Sequence, residues 1–125
     1  MNTDKINDIT ERIIGCAFAV SNTLGCGFLE KVYENALALE LRSAGMVVEQ
    51  QSPMAVRYRE QLVGEFAADL LVERRVLVEL KASGTLGDSH MAQCMNYLAA
   101  TGLKVCLLLN FGKPKLEVKR IVRDL

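Results

Sequence analysis

The stretch Phe66-Ala67-Ala68-Asp69-Leu70-Leu71-Val72-Glu73-Arg74-Arg75-Val76-Leu77-Val78-Glu79-Leu80-Lys81 reads as two apolar strands joined by a charged turn. Alternate side chains of a strand point to opposite faces. The even positions Phe66, Ala68, Leu70, Val72, Val76, Val78, Leu80 and Ala82 then form one apolar face, and Ala67, Asp69, Leu71, Leu77, Glu79 and Lys81 form the other. Matching apolar face to apolar face requires odd positions to pair with odd, because a slip of one residue flips every side chain. A hairpin centred on Arg74 meets that requirement and sets Asp69 opposite Glu79.

Opposed like charges on neighbouring strands are destabilising. At an effective dielectric near 20, two carboxylates ~5 Å apart repel by roughly 3 kcal/mol. A cation between them relieves this. Lys81, two residues beyond Glu79 on the same face, is one candidate, and a divalent metal with hard oxygen ligands is the other. Two carboxylates and a lysine on rigid strands are what metal-assisted phosphodiester cleavage requires. The structural alternative is an ion pair of these acids with Lys81, Arg74 or Arg75.

Upstream of the hairpin, Met46 to Gln50 and Met54 to Tyr58 read as short strands separated by Ser52-Pro53, and Arg59-Glu60-Gln61 turns the chain into a long strand from Leu62. Gly64 marks a candidate bulge. Further upstream, Ile6, Ile9, Ile13, Ala17 and Val20 follow helical spacing, with Thr3 and Asp4 suited to the helix start. A second helix is expected from Phe28 to Ala44, with Leu29, Val32, Tyr33, Ala36, Leu37 and Leu41 as its apolar stripe and Gly45 closing it. Glu30 in its first turn is favoured there by the helix dipole whatever else it does. Gly25 and Gly27 either let the chain turn or cradle an anion at the helix start.

Downstream, Ser89 is the expected cap of a third helix from His90 to Thr101, closed by Gly102. On that helix His90, Gln93 and Tyr97 face one way, while Met91, Met95 and Leu98 form an apolar side suited to a core. Lys104 to Asn110 carries the continuous apolar run of a buried strand, and Leu116 to Val122 alternates like a last one.

The chain has 125 residues, half of them hydrophobic, enough for one globular domain with a real core. Basic and acidic residues both number 15, so there is no global field of the kind that marks many DNA-binding proteins. Lys113, Lys115, Lys119, Arg120 and Arg123 form a local basic surplus, suited either to phosphates or to a solvated edge strand. The four cysteines occur singly and there is one histidine, which argues against a zinc site and suits a reducing cytoplasm. No secretory segment opens the chain and no apolar run approaches membrane-spanning length.

Asp69, followed ten residues later by Glu79-Leu80-Lys81, resembles the Asp…(Asp/Glu)-x-Lys signature of the PD-(D/E)xK nuclease superfamily. Gln93-Cys94-Met95-Asn96-Tyr97 is similar to the Gln-x-x-x-Tyr element of its RecB-like branch, and Gly27-Phe28-Leu29-Glu30-Lys31-Val32-Tyr33 matches the Gly-x-x-Glu-x-x-Tyr motif of the small GxxExxY family. Ala68 stands where the superfamily has proline, a departure that the small apolar face position explains. The resemblance spans about Gly25 to the C-terminus.

What the resemblance implies is an α/β fold: a restriction-endonuclease-like αβββαβ core with a mixed sheet flanked by helices and an extra N-terminal helix. One domain is expected over residues 1–125, with residues 1–22 as that helix and 25–125 as the core. By resemblance, the activity is metal-dependent hydrolysis of phosphodiester bonds in nucleic acid, DNA first. Asp69, Glu79, the Leu80 backbone carbonyl and Glu30 would hold Mg2+ or Mn2+. Lys81 would orient the attacking water and stabilise charge on the phosphate, an electrostatic role rather than that of a free base, since a carboxylate pocket holds its pKa up. Gln93 would hold the water or a phosphate oxygen, and Tyr33, Tyr97 and His90 would contact the substrate. A nuclease-like module that binds nucleic acid or a partner protein without cutting is the alternative, and an anion-binding domain built on Gly25 and Gly27 a third. Cleavage of both strands by so small a domain would call for a homodimer.

Overall fold

The computed structural model describes residues 3–125, so the first two residues of the expected domain lie outside the described ones. Two helices, α1 (Thr3–Leu24) and α2 (Glu30–Ser43), lead into β1 (Val48–Tyr58), β2 (Gln61–Val72) and β3 (Val76–Lys81). Helix α3 (Asp88–Thr101) then connects to β4 (Val105–Asn110) and β5 (Glu117–Val122). The five strands form one sheet in sequence order, and it is mixed: β3 and β4 run parallel through the α3 crossover, and every other neighbouring pair is antiparallel.

The β2–β3 hairpin has the register that apolar matching requires, with Leu70 opposite Val78, Leu71 opposite Leu77 and Val72 opposite Val76. Its turn takes positive φ at Glu73 and Arg74 and is closed by the Arg75 N–H on the Val72 carbonyl, as a type I′ turn demands. The expected pair of short strands before it is instead one strand, β1. Pro53 is tolerated there because β1 lies at the sheet edge. The bulge expected at Gly64 is present beside it: Val56 pairs with Gly64 but Arg57 with Leu62, which leaves Val63 unpaired.

Two apolar clusters cover the sheet. Helices α1 and α2 bury Ile6, Ile13, Tyr33, Leu37 and Leu41 against Leu70, Val72, Val78, Leu80, Leu107 and Leu109. Helix α3 buries Cys94 and Leu98 against Ala68, Leu71, Leu77, Cys106 and Leu108. The single even-numbered face is therefore not continuous. Ala68 and Leu70 belong to opposite clusters, and Phe66 stacks on Tyr97 of α3. Strand β1 changes sides at the same level: Val48 packs with α1 and α2, whereas Met54 packs with the α3 cluster. Between them Gln51 has φ 50, a left-handed residue that reverses the alternation.

Helix α2 is rotated from its expected stripe. Leu29 and Val32 are exposed, and Glu34 and Ala38 are buried in their place. Helix α3 begins at Asp88 after Gly87 rather than at Ser89, and it ends as expected on left-handed Gly102, whose N–H reaches the Leu98 carbonyl. Strand β5 is an edge, and part of its basic surplus is spent on the protein itself: Lys113 pairs with Glu117, Arg120 bonds Asn7, and Arg123 pairs with Asp124. Among the described residues no helix is long and apolar enough to cross a membrane.

Candidate active site

The ladder between β2 and β3 stops at Leu70 and Val78, one residue short of the two acids. There each carboxylate reaches across to the other strand's backbone. The Asp69 N–H donates to Glu79 Oε2 at 2.8 Å, and the Leu80 N–H donates to Asp69 Oδ2 at 2.9 Å. Two side chains thus take over the donors that a continued ladder would have satisfied, and the strands part where the acids stand. Asp69 and Glu79 converge on one place, as the hairpin register requires.

Glu79 is 4% exposed, and its pKa is pushed up to about 7, first by burial and then by the Asp69 charge; the Asp69 N–H and Lys81 pull it down by less. Neither acid makes an ion pair within 4 Å among the described residues. The alternative, an ion pair with Arg74, Arg75 or Lys81, does not form within 4 Å: Arg74 turns outward to Glu49 at 3.8 Å, and Lys81 acts on the acids from farther off.

The N-terminus of α2 comes to the same place. Glu30, its first residue, faces the Ala82 backbone just past β3. Its pKa is raised, mainly by burial, while Lys81 lowers it and Asp69 and Glu34 raise it. Helix α3 closes the other side, since Tyr97 feels both Glu79 and Asp69; its pKa is raised, chiefly by burial. Tyr97 stacks on Phe66 with ring centroids 3.8 Å apart, next to an open cleft lined by Val56, Arg57, Asn96 and Ala100. Gln93 is half-buried one turn earlier and makes no hydrogen bond to either acid. His90 is committed to the start of α3, its Nδ1 accepting the Gly87 N–H at 3.1 Å.

Tyr33 is out of a substrate's reach. It is fully buried, stacked on Phe111, and its hydroxyl donates to the Gly25 carbonyl at 2.6 Å and accepts the Phe28 N–H. The expected substrate contact is therefore a structural clasp. In the glycine loop the Gly25 N–H goes to the Ser21 carbonyl and the Phe28 N–H to Tyr33, so neither of these two is offered to an anion.

The family model of the PD-(D/E)XK nuclease superfamily matches residues 7–121. The chain belongs to this superfamily. No curated protein matches it. Its fold is similar to the crystal structure of an alkaline exonuclease, LHK-Exo, from Laribacter hongkongensis, with a TM-score of 0.54 and 20% identity. The likeness covers 75% of this chain and 56% of the exonuclease chain, so this domain spans little more than half of that protein's length.

Seen as a PD-(D/E)XK domain, the site has a donor set that fits a divalent cation: hard carboxylate oxygens with no ion-pair partner within 4 Å, the pKa of Glu79 raised by burial and by its acidic neighbour. Among the described residues no three His, Cys, Asp or Glu side chains already stand close enough to hold a metal ion alone. Asp69 and Glu79 are thus a two-acid centre, with Glu30 nearby.

Three polar residues around this centre carry no signal in the motif spacing. Glu34 is buried and takes bonds from Lys31, Gln50 and Gln51. Gln51 Nε2 reaches both Glu34 Oε1 at 2.7 Å and Asp69 Oδ1 at 3.3 Å. Asn110 is fully buried beside Lys81 across the parallel pair, and its Oδ1 accepts the N–H groups of Ser83 and Gly112. With the Phe111 N–H on the Lys81 carbonyl at 2.8 Å, it pins the chain as it leaves β3. A polar residue ending an otherwise apolar run, as Asn110 does after Val105–Leu109, is the one available sequence hint.

Proposed function

We propose that this domain is a divalent-metal-dependent nuclease that hydrolyses phosphodiester bonds, with DNA as its substrate, and that within the superfamily it belongs with the GxxExxY proteins of the RecB-like branch. The observation that supports this best is the pair Asp69 and Glu79, brought together in a gap of the sheet without a cationic partner. Superfamily membership makes nucleic acid the natural substrate class.

Asp69 and Glu79 would hold Mg2+ or Mn2+, with the Leu80 carbonyl and Glu30 as further oxygen donors. Such an ion, when bound, supplies charge to neutralise the scissile phosphate and acidity to activate water. Lys81 adds positive charge at the same end of β3 and orients the attacking water. Gln93 is placed on α3 to hold that water or a phosphate oxygen. The Phe66–Tyr97 ring stack and Arg57 in the adjoining cleft suit a base and a phosphate, and His90 lies at the near end of α3. The reading includes a cytoplasmic location and, for double-strand cleavage, two copies of the chain.

A non-cutting binding module is the second reading, favoured by the zero net charge and by the absence of a preformed three-ligand cluster among the described residues. Calorimetric titration with Mg2+ and Mn2+, followed by incubation with plasmid and single-stranded DNA, separates the two. Metal-dependent cutting by the wild type that is lost in Asp69→Ala and Lys81→Ala supports the enzyme. DNA binding without metal and without cutting, unchanged in both variants, overturns it.

A further inference from the structure

Among the described residues six non-glycine residues have positive φ; Arg59, Glu60, Glu73 and Arg74 lie in the two hairpin turns, and Asp124 lies at the C-terminal end. Gln51 alone among them lies inside a strand. An L-residue avoids this region because its Cβ crowds the following carbonyl, and such strain persists where the surroundings over-determine it. At Gln51 the surroundings are two carboxylates. One side-chain amide carries two N–H donors; here they reach Glu34 Oε1 at 2.7 Å and Asp69 Oδ1 at 3.3 Å. Residue 51 also sits where β1 runs opposite Asp69, between the pairs Gln50–Leu70 and Ser52–Ala68.

We propose that Gln51 is a positioning residue of the candidate active site: its amide, presented at the surface by the left-handed bend in β1, fixes the Asp69 carboxylate and ties it to α2 through Glu34. This rests on the reading of Asp69 as a ligand of a divalent cation. The Leu80 N–H already holds Asp69 Oδ2 at 2.9 Å. With Gln51 on Oδ1 the carboxylate is held at both oxygens, which sets its plane, and each oxygen retains a lone-pair direction for a cation. The amide is neutral, so it orients the acid without competing as a lysine would. Glu34 anchors the amide in turn: it is buried and further held by Gln50 Nε2 at 2.8 Å and Lys31 Nζ at 3.0 Å. The chain Asp69–Gln51–Glu34 therefore fixes the spacing between the sheet and the helix that carries Glu30.

Two variants separate the amide from the backbone bend. Gln51→Gly takes positive φ without strain and has no side chain, whereas Gln51→Met keeps the bulk and the strain and has no amide. If the amide positions Asp69, both lose about tenfold or more in Mn2+ affinity by calorimetry, as removal of a ligand's supporting hydrogen bond does. Both also lose kcat on plasmid DNA while KM for DNA stays unchanged. Wild-type Mn2+ affinity in either variant overturns the proposal, since the loss in the other then belongs to the backbone or to bulk. A readout independent of metal is a double-variant cycle of Gln51→Met with Asp69→Ala in metal-free protein, followed by urea unfolding. The unfolding constant of the double variant should depart from the product of the single effects by about threefold or more; simple multiplication overturns the proposal. Wild type that binds no Mg2+ or Mn2+ sinks the nuclease reading, and the cycle alone then decides for or against the Gln51–Asp69 pairing.

Discussion

Replacing Glu79 by glutamine should stabilise the metal-free protein while abolishing cleavage. Glu79 titrates near 7 against an ordinary 4.5, raised by burial and by Asp69. A carboxyl whose folded pKa exceeds its unfolded one is favourable when protonated, so its contribution is intact below pH 4.5 and is lost as pH rises through about 7. Each unit is worth about 1.4 kcal/mol, which puts the loss at about 3 kcal/mol by pH 8 and about 1 kcal/mol at pH 5. Glutamine never ionises, and its carbonyl oxygen can still accept the Asp69 N–H that Glu79 Oε2 accepts now. Urea or thermal unfolding in EDTA should therefore show Glu79→Gln more stable than wild type by about 3 kcal/mol at pH 8, roughly 10 °C in Tm, with most of the gain gone at pH 5. Adding Mn2+ at pH 8 should raise the wild-type Tm and leave the variant where it was. A variant no more stable than wild type at pH 8, or equally more stable at both pH values, would refute the account of Glu79 as a carboxylate held against its preference.

The same titration predicts the acid limb of activity. At limiting Mn2+, cleavage should rise between pH 6 and pH 8 with a midpoint near the Glu79 value of about 7, because the ion binds the ionised acid; a flat profile there would contradict it. Tyr33→Phe removes the hydroxyl that joins Gly25 to Phe28, and denaturant unfolding should show a loss of about 1–2 kcal/mol with KM for DNA unchanged. Gly112→Ala would set a Cβ 2.2 Å from the Ser83 carbonyl oxygen and 2.4 Å from its nitrogen. Backbone must move to relieve this, so unfolding should show about 2 kcal/mol or more of destabilisation, with kcat falling as the segment after Lys81 shifts.

What sequence made legible depended on whether the deciding contacts were local or paired by pattern. The β2–β3 register followed from apolar matching alone, although Glu73-Arg74 carries none of the glycine or asparagine that usually announces a type I′ turn. With the register came the facing of Asp69 and Glu79. The stripe of α2 departs from helical spacing because buried Glu34 takes bonds from Gln50 and Gln51, partners more than a dozen residues away that no helical period reveals. Exposed Leu29 and Val32 are the other side of that rotation. Tyr33 illustrates a different limit. A tyrosine in a motif reads equally as a substrate contact or as a packed ring with a satisfied hydroxyl, and only the Phe111 stack and the Gly25 bond decide. Likewise the even-numbered face breaks between Ala68 and Leu70, level with left-handed Gln51 on the neighbouring strand, and no period-two pattern announces either change.

These departures from regular sheet lie on one line. It crosses β1 at Gln51, β2 at Asp69, β3 from Glu79 to Lys81, and β4 at Asn110, which pairs with Lys81. At Asp69, Glu79 and Asn110 a side-chain oxygen accepts from backbone N–H groups, and at Gln51 the backbone itself leaves the strand region. The two faces of the sheet here are packed cores: Leu70, Val78 and Leu107 pack below α1 and α2, and Leu77, Cys106 and Leu108 pack below α3. A left-handed residue costs about 1–2 kcal/mol and the ionised Glu79 about 3 kcal/mol more, a sizeable share of the 5–15 kcal/mol by which domains are stable. Strain scattered over a fold can be removed by substitution, since stabilising changes are commonly available in natural proteins. Strain gathered along one row, where it points two acids, a lysine and an amide at the same place, is what a chain keeps when the row has work to do. Relieving Glu79 should stabilise the protein and disable the site together, and a variant that gained stability there without losing metal binding would break that link.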